Sequence, residues 1–405
     1  MRITPLLIQN EAQARRKMAS LGVSGEGARI LAAKSVPLAF EIEGIGSWEA
    51  NIIKQQLLSL GSDAALRRDV LVKKVKTSVF IFGSISQIRK FCEKLKYQPF
   101  QLPEISRLIT TQLNNIFKDT FTLCARDKRL PIKRSIICGI INLTPDSFSG
   151  DGLVGKEKHV KSRLEDLALI QAQAMVKAGA KMLDLGGESS RPFSQPVKSQ
   201  TEIKRVIPVL KAIRKKFPKT VISVDTYKYP TVKAAIDAGA DVINDIMALR
   251  TDLRSGALVA KYKLGCVLMH MRGNPQTMQV KPRYHDAPKD IIDFFSERIK
   301  FAQAQGIKPE QILLDPGIGF GKRYEDNLKI INELDKFKIF GLPIFLGLSR
   351  KSFIGKALGG KTSDRLIGTL AASAIALVKG AKILRVHDVG ATQQAIKVVD
   401  EIMNN

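Results

Sequence analysis

Residues 136–143 read IICGIINL, a short apolar segment of the kind that forms a strand buried on both faces of a sheet. A longer amphipathic stretch, RLEDLALIQAQAMVKAGA (163–180), follows and is typical of a helix. The same alternation continues to the C-terminus. The further predicted strands are MLDLGG (182–187), VISVDT (221–226), DVIND (241–245), GCVLMH (265–270), ILLDPG (312–317), PIFLGLS (343–349) and ILRVHD (383–388). Eight βα pairs in about 270 residues predict a (β/α)8 TIM barrel. A doubly wound open sheet, the alternative, more often has fewer strands and a Gly-rich first turn.

The first third of the chain shows a different, mixed pattern. Its periodicity predicts helices at 9–33, 49–60, 85–95 and 104–118 and extended segments at 36–44 and 70–83. The polar stretch CARDKRLPIKRS (124–135) has the composition of a linker. We therefore predict a small α/β domain at 1–133, without an assigned function, followed by a barrel domain at 134–405.

Composition limits the classes of function. The 405 residues carry a formal net charge of +27 and a pI near 10.0, an excess that in some proteins marks nucleic-acid binding. The basic residues form no long block, however, and aromatic residues make up only 6%, which offers few side chains for base stacking. We interpret the charge as a field that attracts small anions and predict no nucleic-acid partner.

Cysteine usage and hydropathy indicate the compartment. Four scattered cysteines with no C-x-x-C pair suggest neither a disulfide framework nor a zinc site. The N-terminus lacks the charged start and long apolar core of a signal peptide, and no run approaches the ~20 apolar residues of a membrane span. We expect a cytoplasmic protein with no membrane partner.

Polar side chains stand where the predicted strands end, which in a TIM barrel is the edge that carries the active site. They are Asn142, Glu188, Ser190, Arg191, Asp225, Asn244, Asp245, His270, Asp315, Ser349, Arg350, Lys351, Arg385, His387 and Asp388. Such residues also cap helices or complete turns, and that reading stays open for each one alone. Together, the carboxylates and amides suit a flat heterocycle, while the cations suit phosphate oxygens. The pattern predicts a ligand that is part heterocycle and part polyanion.

Two other motif readings fail. DPGIGFGKR (315–323) is not a phosphate loop of the G-x-x-x-x-G-K-[ST] type, because Pro316 and Arg323 stand where glycine and a hydroxyl are needed. The four histidines show no spacing typical of metal ligands, so zinc chemistry is not indicated. Any metal is expected to be a hard cation bound by oxygen.

Seven segments at these strand ends resemble, in order, the signatures of the dihydropteroate synthase family. They are INLTPDSFSGDG (141–152), DLGGESSRP (184–192), SVDTYKYP (223–230), INDI (243–246), DPGIGFGK (315–322), GLSRKSFIG (347–355) and RVHDV (385–389). The resemblance covers essentially all of residues 135–405. It implies a transferase of folate biosynthesis that joins a pterin diphosphate to 4-aminobenzoate, a target of sulfonamides, and a homodimer.

The resemblance also implies roles for individual residues. The pterin contacts it implies are Asp225, Asn244, Asp315 and Lys351, with Met269 and Phe320 as apolar walls. The diphosphate contacts are Asn142, Ser190, Arg191, Arg385 and His387, and Asn142 is the expected ligand of Mg2+. The aminobenzoate contacts are Phe148, Ser190, Pro192 and Ser352, the last with help from a helix N-terminus. The catalytic residues are expected to be Asp225, Asp315, Lys351, Arg385 and His387.

In the implied reaction the aniline nitrogen attacks the pterin methylene while the diphosphate leaves. Mg2+ and the cations stabilise charge on the leaving group, and loops at 146–148 and 190–192 are expected to close over the second substrate. The first loop reads SFSGDG (147–152), where the family usually has SFSDGG, so the acidic residue is displaced to Asp151. In the second, Ser190 stands where threonine is common. We expect activity to survive both changes.

Two rival functions stay open on sequence alone. One is a pterin-binding methyltransferase acting on methyltetrahydrofolate, which handles no diphosphate and does not account for SRKSFIG (349–355), RVHD (385–388) and Asn142. The other is a degenerate barrel that binds RNA or a protein through its basic surface.

Overall fold

The structure, a computed structural model, describes residues 1–70, 72–73, 75–144, 160–189, 194–360 and 364–404. It divides into two units, Met1–Asn114 and Asn115–Asn405. The boundary therefore lies before the predicted one at residue 133.

The first unit is a mixed α/β domain. Its elements are α1 (Glu11–Ser20), α2 (Gly25–Ser35), β1 (Pro37–Ile45), α3 (Ser47–Leu58), β2 (Asp63–Leu66), β3 (Thr77–Ser84), α4 (Ile85–Leu95) and α5 (Leu102–Ile116). Two helices stand where one was predicted at 9–33, because Gly22, at φ 78°, ends α1 with a bond from its backbone N–H to Ala19. Strand β2 was not predicted.

The sheet of this unit is antiparallel, in the order β1-β3-β2. Period-two alternation places Val79 and Ile81 of β3 in the core, where they pack with Ile53, Ile88 and Phe91 from the helices. The opposite face exposes Phe80 and Phe82. Ser84 begins α4 with a capping box that includes Gln87.

The second unit begins with a β-hairpin rather than a linker. Strands β4 (Phe121–Ala125) and β5 (Lys128–Ile132) pair antiparallel. Leu123 and Ile132 are fully buried in a cluster with residues from all eight barrel strands, among them Val267 and Phe345. The linker predicted at 124–135 is therefore wrong. The charged residues misled the prediction because this short hairpin gains its stability from packing on the barrel.

The barrel itself confirms the predicted fold. Its strands are β6 (Ile136–Asn142), β7 (Met182–Gly186), β8 (Val221–Asp225), β9 (Val242–Asp245), β10 (Gly265–Met269), β11 (Ile312–Asp315), β12 (Ile344–Leu346) and β13 (Ala381–Val386). All neighbouring pairs are parallel, and β13 pairs with β6 to close the sheet. Most strand residues are buried because helices cover the outside and side chains fill the inside.

The barrel helices follow the strands. They are α6 (Val160–Lys177), α7 (Ser199–Lys216), α8 (Tyr229–Asp237), α9 (Arg254–Lys261), α10 (Ala287–Ala304), α11 (Tyr324–Asn332), α12 (Ser352–Ala357), α13 (Leu366–Val378) and α14 (Val389–Asn404). Pro309–Gln311 and Leu334–Phe340 form short 3-10 turns. In the parts of the chain given above, no helix combines the length and the hydropathy that a membrane crossing needs.

Candidate functional site

The carboxyl ends of the barrel strands carry the polar side chains that the sequence predicted. Strand β8 ends at Asp225, β9 at Asn244 and Asp245, and β11 at Asp315. Arg385 lies one residue before the end of β13. Because the strands are parallel and in one closed sheet, these side chains meet at a single edge of the barrel.

Arg385 is the centre of a largely buried ion-pair cluster. Its Nε donates to Asp184 Oδ2 at 2.6 Å, and its Nη2 donates to Asp225 Oδ2 at 2.8 Å. Asp184 Oδ2 also accepts from Asn244 Nδ2 at 3.1 Å. The structure thus brings Asp225 and Asn244, predicted to contact the pterin, together with Arg385, predicted to contact the diphosphate.

Asp184 was missed by the sequence prediction. It is fully buried within β7, in the segment MLDLGG, whose other residues are apolar or glycine. Aspartate is rarely buried without a partner, so a lone carboxylate inside an apolar strand was a usable signal. Its Oδ1 has no hydrogen-bond partner among the described residues, and neither has Asn244 Oδ1. Two buried acceptors are therefore available to a ligand.

The pKa values of several side chains at this edge differ from those of exposed side chains. Burial raises the pKa of the Asp225 carboxyl to about 7, although the Arg385 guanidinium acts in the opposite direction. Burial also raises the pKa of Asp315 and lowers that of Lys351 to about 8, each shift opposed by the charge of the other residue. For Arg385, burial alone would lower the pKa, but the charges of Asp184 and Asp225 outweigh burial and raise it. Shifts of this kind mark candidate active sites.

The loop after β11 forms one wall of the site. Asp315 Oδ1 accepts from the Gly317 backbone N–H at 2.7 Å. Gly317 has φ 68°, and a Cβ there would lie 2.0 Å from the His270 carbonyl oxygen, so only glycine allows this turn. Lys351 donates to the Ile318 carbonyl, and its Nζ lies 4.6 Å from the centre of the Phe320 ring.

Apolar side chains complete this wall. Met269 is buried in a small cluster with Ile246, Met271 and Met278, and Phe320 packs against that cluster half-buried. Both predicted wall residues therefore lie together, Met269 at the end of β10 and Phe320 in the loop that follows β11. A flat ring would meet methionine and phenylalanine on its faces and polar groups on its edges.

A second buried polar group joins the ends of β10 and β11. The Lys322 ammonium lies 2.9 Å from His270 Nδ1 and donates to the carbonyls of His270 and Phe320 at 3.2 and 3.1 Å. Burial lowers the pKa of both Lys322 and His270 well below the usual values. The sequence prediction gave Lys322 no role, although its place in a glycine-rich loop was visible.

The remaining predicted residues lie around the same edge. His387 Nδ1 is 3.0 Å from Ser349 Oγ, and Asn142 ends β6 half-buried. Ser352 is the first residue of α12, a helix of only six residues. Any contribution from Ser352 must therefore come mainly from its hydroxyl. Phe148, Ser190, Arg191 and Pro192, together with Asp146 and Asp151, lie outside the described residues.

Within the described ranges, no group of three or more His, Cys, Asp or Glu side chains has the arrangement of a metal site. Asn142 offers one amide oxygen near the edge. A hard cation at this position would therefore need further oxygen ligands from a substrate or from water.

Comparisons with known proteins agree with this geometry. Residues 138–387 match the family described as Pterin binding enzyme. The dihydropteroate synthase of Clostridium beijerinckii is 43% identical over 272 residues, which cover 67% of this chain and 95% of that one. The dihydropteroate synthase of Escherichia coli is 41% identical over 288 residues, covering 70% and 96%.

Solved structures give the same result. The Yersinia pestis dihydropteroate synthase in a sulfonamide drug complex aligns with a TM-score of 0.65 and 40% identity, over 70% of this chain and all of that one. The Thermus thermophilus dihydropteroate synthase in complex with 4-aminobenzoate aligns with a TM-score of 0.60 and 36% identity, over 69% and 99%. These similarities span nearly the whole length of the relatives.

Proposed function

The chain belongs to the dihydropteroate synthase family, and on that premise we propose that its barrel joins 6-hydroxymethyl-7,8-dihydropterin diphosphate to 4-aminobenzoate in folate biosynthesis. The products are 7,8-dihydropteroate and diphosphate. One observation carries the proposal: a buried set of acceptors and donors at the carboxyl ends of the strands, in which Asp184 Oδ1 and Asn244 Oδ1 have no partner among the described residues. A buried polar group without a partner is costly unless a ligand satisfies it.

The pterin ring is proposed to lie between the apolar wall of Met269 and Phe320 and the polar residues at the strand ends. Asp225 and Asp315 accept hydrogen bonds from the ring N–H and amino groups, and Asn244 accepts a further one from the amino group through Oδ1. Lys351 donates to the ring carbonyl and a ring nitrogen. Because Lys351 lies beside Phe320, Lys351 is also proposed to border one face of the pterin ring.

The diphosphate is proposed to lie on the cationic side of the same edge. Among the described residues Arg385 forms ion pairs with Asp184 and Asp225 through Nε and Nη2, and its Nη1 is proposed to donate to a phosphate oxygen. His387, which follows the end of β13, is the second contact. Ser190 and Arg191 are proposed on the family resemblance alone.

Magnesium is part of the proposal. The amide oxygen of Asn142 is the kind of ligand that Mg2+ prefers, and the diphosphate and water would supply the other oxygen ligands. When bound, the ion neutralises charge on the leaving diphosphate. The described residues fit this arrangement only with the diphosphate present, because they provide no complete ligand set of their own.

In the proposed reaction the bond between the pterin methylene and the diphosphate oxygen breaks as the aniline nitrogen forms a new bond to the methylene. The electron pair leaves with the diphosphate, and the amine loses a proton to solvent. Asp225, Asn244, Asp315 and Lys351 orient the ring, and Arg385 stabilises negative charge as it develops. Ser352 is proposed to bind the aminobenzoate carboxylate, with Phe148, Ser190 and Pro192 as further contacts.

A coupled assay tests the function. Purified protein with Mg2+, the pterin diphosphate and 4-aminobenzoate is expected to release diphosphate, and to release none when aminobenzoate is omitted. Methyl transfer from methyltetrahydrofolate to a corrinoid acceptor is expected to be absent. The matched variants are Asp315→Asn, expected to lose turnover, and Asp335→Asn, an exposed aspartate of the same unit, expected to keep it. Equal turnover of the two variants, or no diphosphate release by the wild type, would contradict the proposal.

A homodimer in the cytoplasm is proposed from the family resemblance. Sedimentation analysis of the purified protein tests the dimer, and cell fractionation tests the compartment. A monomer that is fully active would contradict the first.

A further inference from the structure

Asp184 sets the orientation of a neighbouring amide. Both hydrogen bonds to Asp184 end on the same atom: Oδ2 accepts from Arg385 Nε at 2.6 Å and from Asn244 Nδ2 at 3.1 Å. The carboxylate is fully buried within β7 and Asn244 is 3% exposed. Neither side chain can therefore exchange this contact freely for water.

The orientation follows from the chemistry of the two groups. An oxygen that accepts from a guanidinium offers a lone pair, so the amide of Asn244 must turn its NH2 group toward Asp184 and its oxygen away. Turning the amide by 180° would bring two acceptors together at hydrogen-bond distance inside the barrel, where such a contact is unfavourable. Asn244 Oδ1 is left buried, with no partner in the part of the chain that the structure describes.

We propose that Asp184 is a specificity-determining positioning residue, which holds Asn244 so that the ring atom facing it must be a hydrogen-bond donor. The inference rests on the proposed function, because it concerns the heterocycle that this site binds. A free asparagine would accept or donate equally well. Asn244 held by Asp184 presents only an acceptor, so it favours a ring with an amino or N–H group at that position over one with a carbonyl.

The alternative is that Asp184 only pairs with Arg385 and supports the fold. The two roles predict different results. Loss of an ion pair that supports the fold or the diphosphate site lowers turnover of every pterin equally. Loss of the amide orientation lowers turnover of the amino ring and leaves that of the carbonyl ring unchanged or higher.

The test compares two substrates, the pterin diphosphate and its analogue in which the 2-amino group is replaced by a 2-oxo group. The measured quantity is the ratio of their kcat/KM values with 4-aminobenzoate. In Asp184→Asn, an amide at 184 can donate as well as accept, so Asn244 is free to turn and the ratio is expected to fall at least tenfold. The matched control is Asp241→Asn, another buried barrel aspartate paired with an arginine, at the opposite end of the strands. There the ratio is expected to stay within twofold.

An unchanged ratio in Asp184→Asn would overturn the inference, even if both kcat/KM values fell. If that variant does not fold, Asp184→Ser replaces it, because a hydroxyl both donates and accepts, leaves Asn244 free to turn and should also reduce the ratio tenfold. Direct binding of the two pterins, measured by calorimetry without aminobenzoate, tests the role of Asp184 separately from the proposed function. If the wild type binds but does not react, the proposed function fails, while the ratio of the two dissociation constants still decides the role of Asp184.

Discussion

The two ends of the barrel use the same kind of interaction for different purposes. At the amino end, the buried Asp241 side chain accepts from the Ile222 backbone N–H and from the Lys128 ammonium, both at 2.8 Å, and from the Arg214 guanidinium. No side-chain atom of Asp241 is left buried without a partner among the described residues. The hairpin β4-β5, which carries Lys128, covers this end with apolar side chains.

At the carboxyl end, Asp184 and Asp225 also share an arginine, but this cluster is incomplete. Asp184 Oδ1 and Asn244 Oδ1 have no partner in the described ranges, and the Asp225 carboxyl has a pKa raised to about 7 by burial. Unsatisfied buried groups destabilise the empty protein and favour a ligand that supplies the missing bonds. In a TIM barrel the first end is expected to serve stability and the second catalysis. This division predicts that substitutions at the amino end lower stability and spare activity, whereas substitutions at the carboxyl end lower activity and spare stability.

Removal of the hairpin is expected to have the largest effect. A chain that begins at Arg134 exposes the cluster around Leu123 and Ile132, and loss of these two side chains alone costs about 3–6 kcal/mol of unfolding free energy. A chain that begins at Asn115 keeps the hairpin, and we expect it to fold and turn over like the full chain. Thermal unfolding and diphosphate release check both. Equal stability of the two shortened chains would show that the amino end does not depend on the hairpin.

Asp225→Asn is expected to reduce kcat/KM about 10³-fold, because an ionised acceptor for ring donors is lost, and such bonds contribute roughly 1.5–3 kcal/mol each. The stability of the Asp225→Asn variant, in contrast, should not fall with its activity. A carboxyl whose folded pKa is raised loses stability as pH rises from about 4, its unfolded value, to about 7. At pH 8 the variant should therefore melt no lower than the wild type. A lower melting temperature at pH 8 would indicate that Asp225 supports the fold.

Asp241→Asn is the matching substitution at the amino end. Removing the charge leaves the Lys128 and Arg214 cations partly buried without their partner, which should cost about 3 kcal/mol of unfolding free energy. We expect kcat/KM to stay within twofold. Chemical denaturation measures the first quantity and steady-state kinetics the second. If activity fell as far as stability, the two ends would not be independent.

The barrel was predictable from sequence because its strands are apolar runs with polar ends, a pattern that is local. All eight strands were found in this way. The hairpin was not, because Lys128 and Arg129 resemble a linker until Asp241, more than a hundred positions away in sequence, is known to be the partner of Lys128. Residues whose stability comes from distant contacts give no local signal.

The candidate site shows the same limit. Asp225, Asn244, Asp315 and Lys351 follow strands and could be named from motifs. The role of Asp184 depends on Asn244 and Arg385, which lie 60 and 201 positions away. The buried position of Lys322 likewise involves a partner that is distant in sequence, His270. Sequence thus identified the polar residues that end or follow strands, but not Asp184 or Lys322, whose partners are distant in sequence.

The pH dependence of kcat/KM is the smallest expected effect and reports on the carboxyl end alone. Asp225 must be ionised to accept from the ring, so activity should fall about tenfold per pH unit below pH 7, where burial places its pKa. Lys351 must be protonated to donate, so activity should also fall above pH 8. The profile of the free enzyme should therefore be a narrow bell between these values. Lys351→Arg, whose guanidinium stays charged, should remove the alkaline limb and keep the acid limb, while Asp241→Asn should keep both. An alkaline limb that persists in Lys351→Arg would assign it to another group and remove Lys351 from the set of pterin donors.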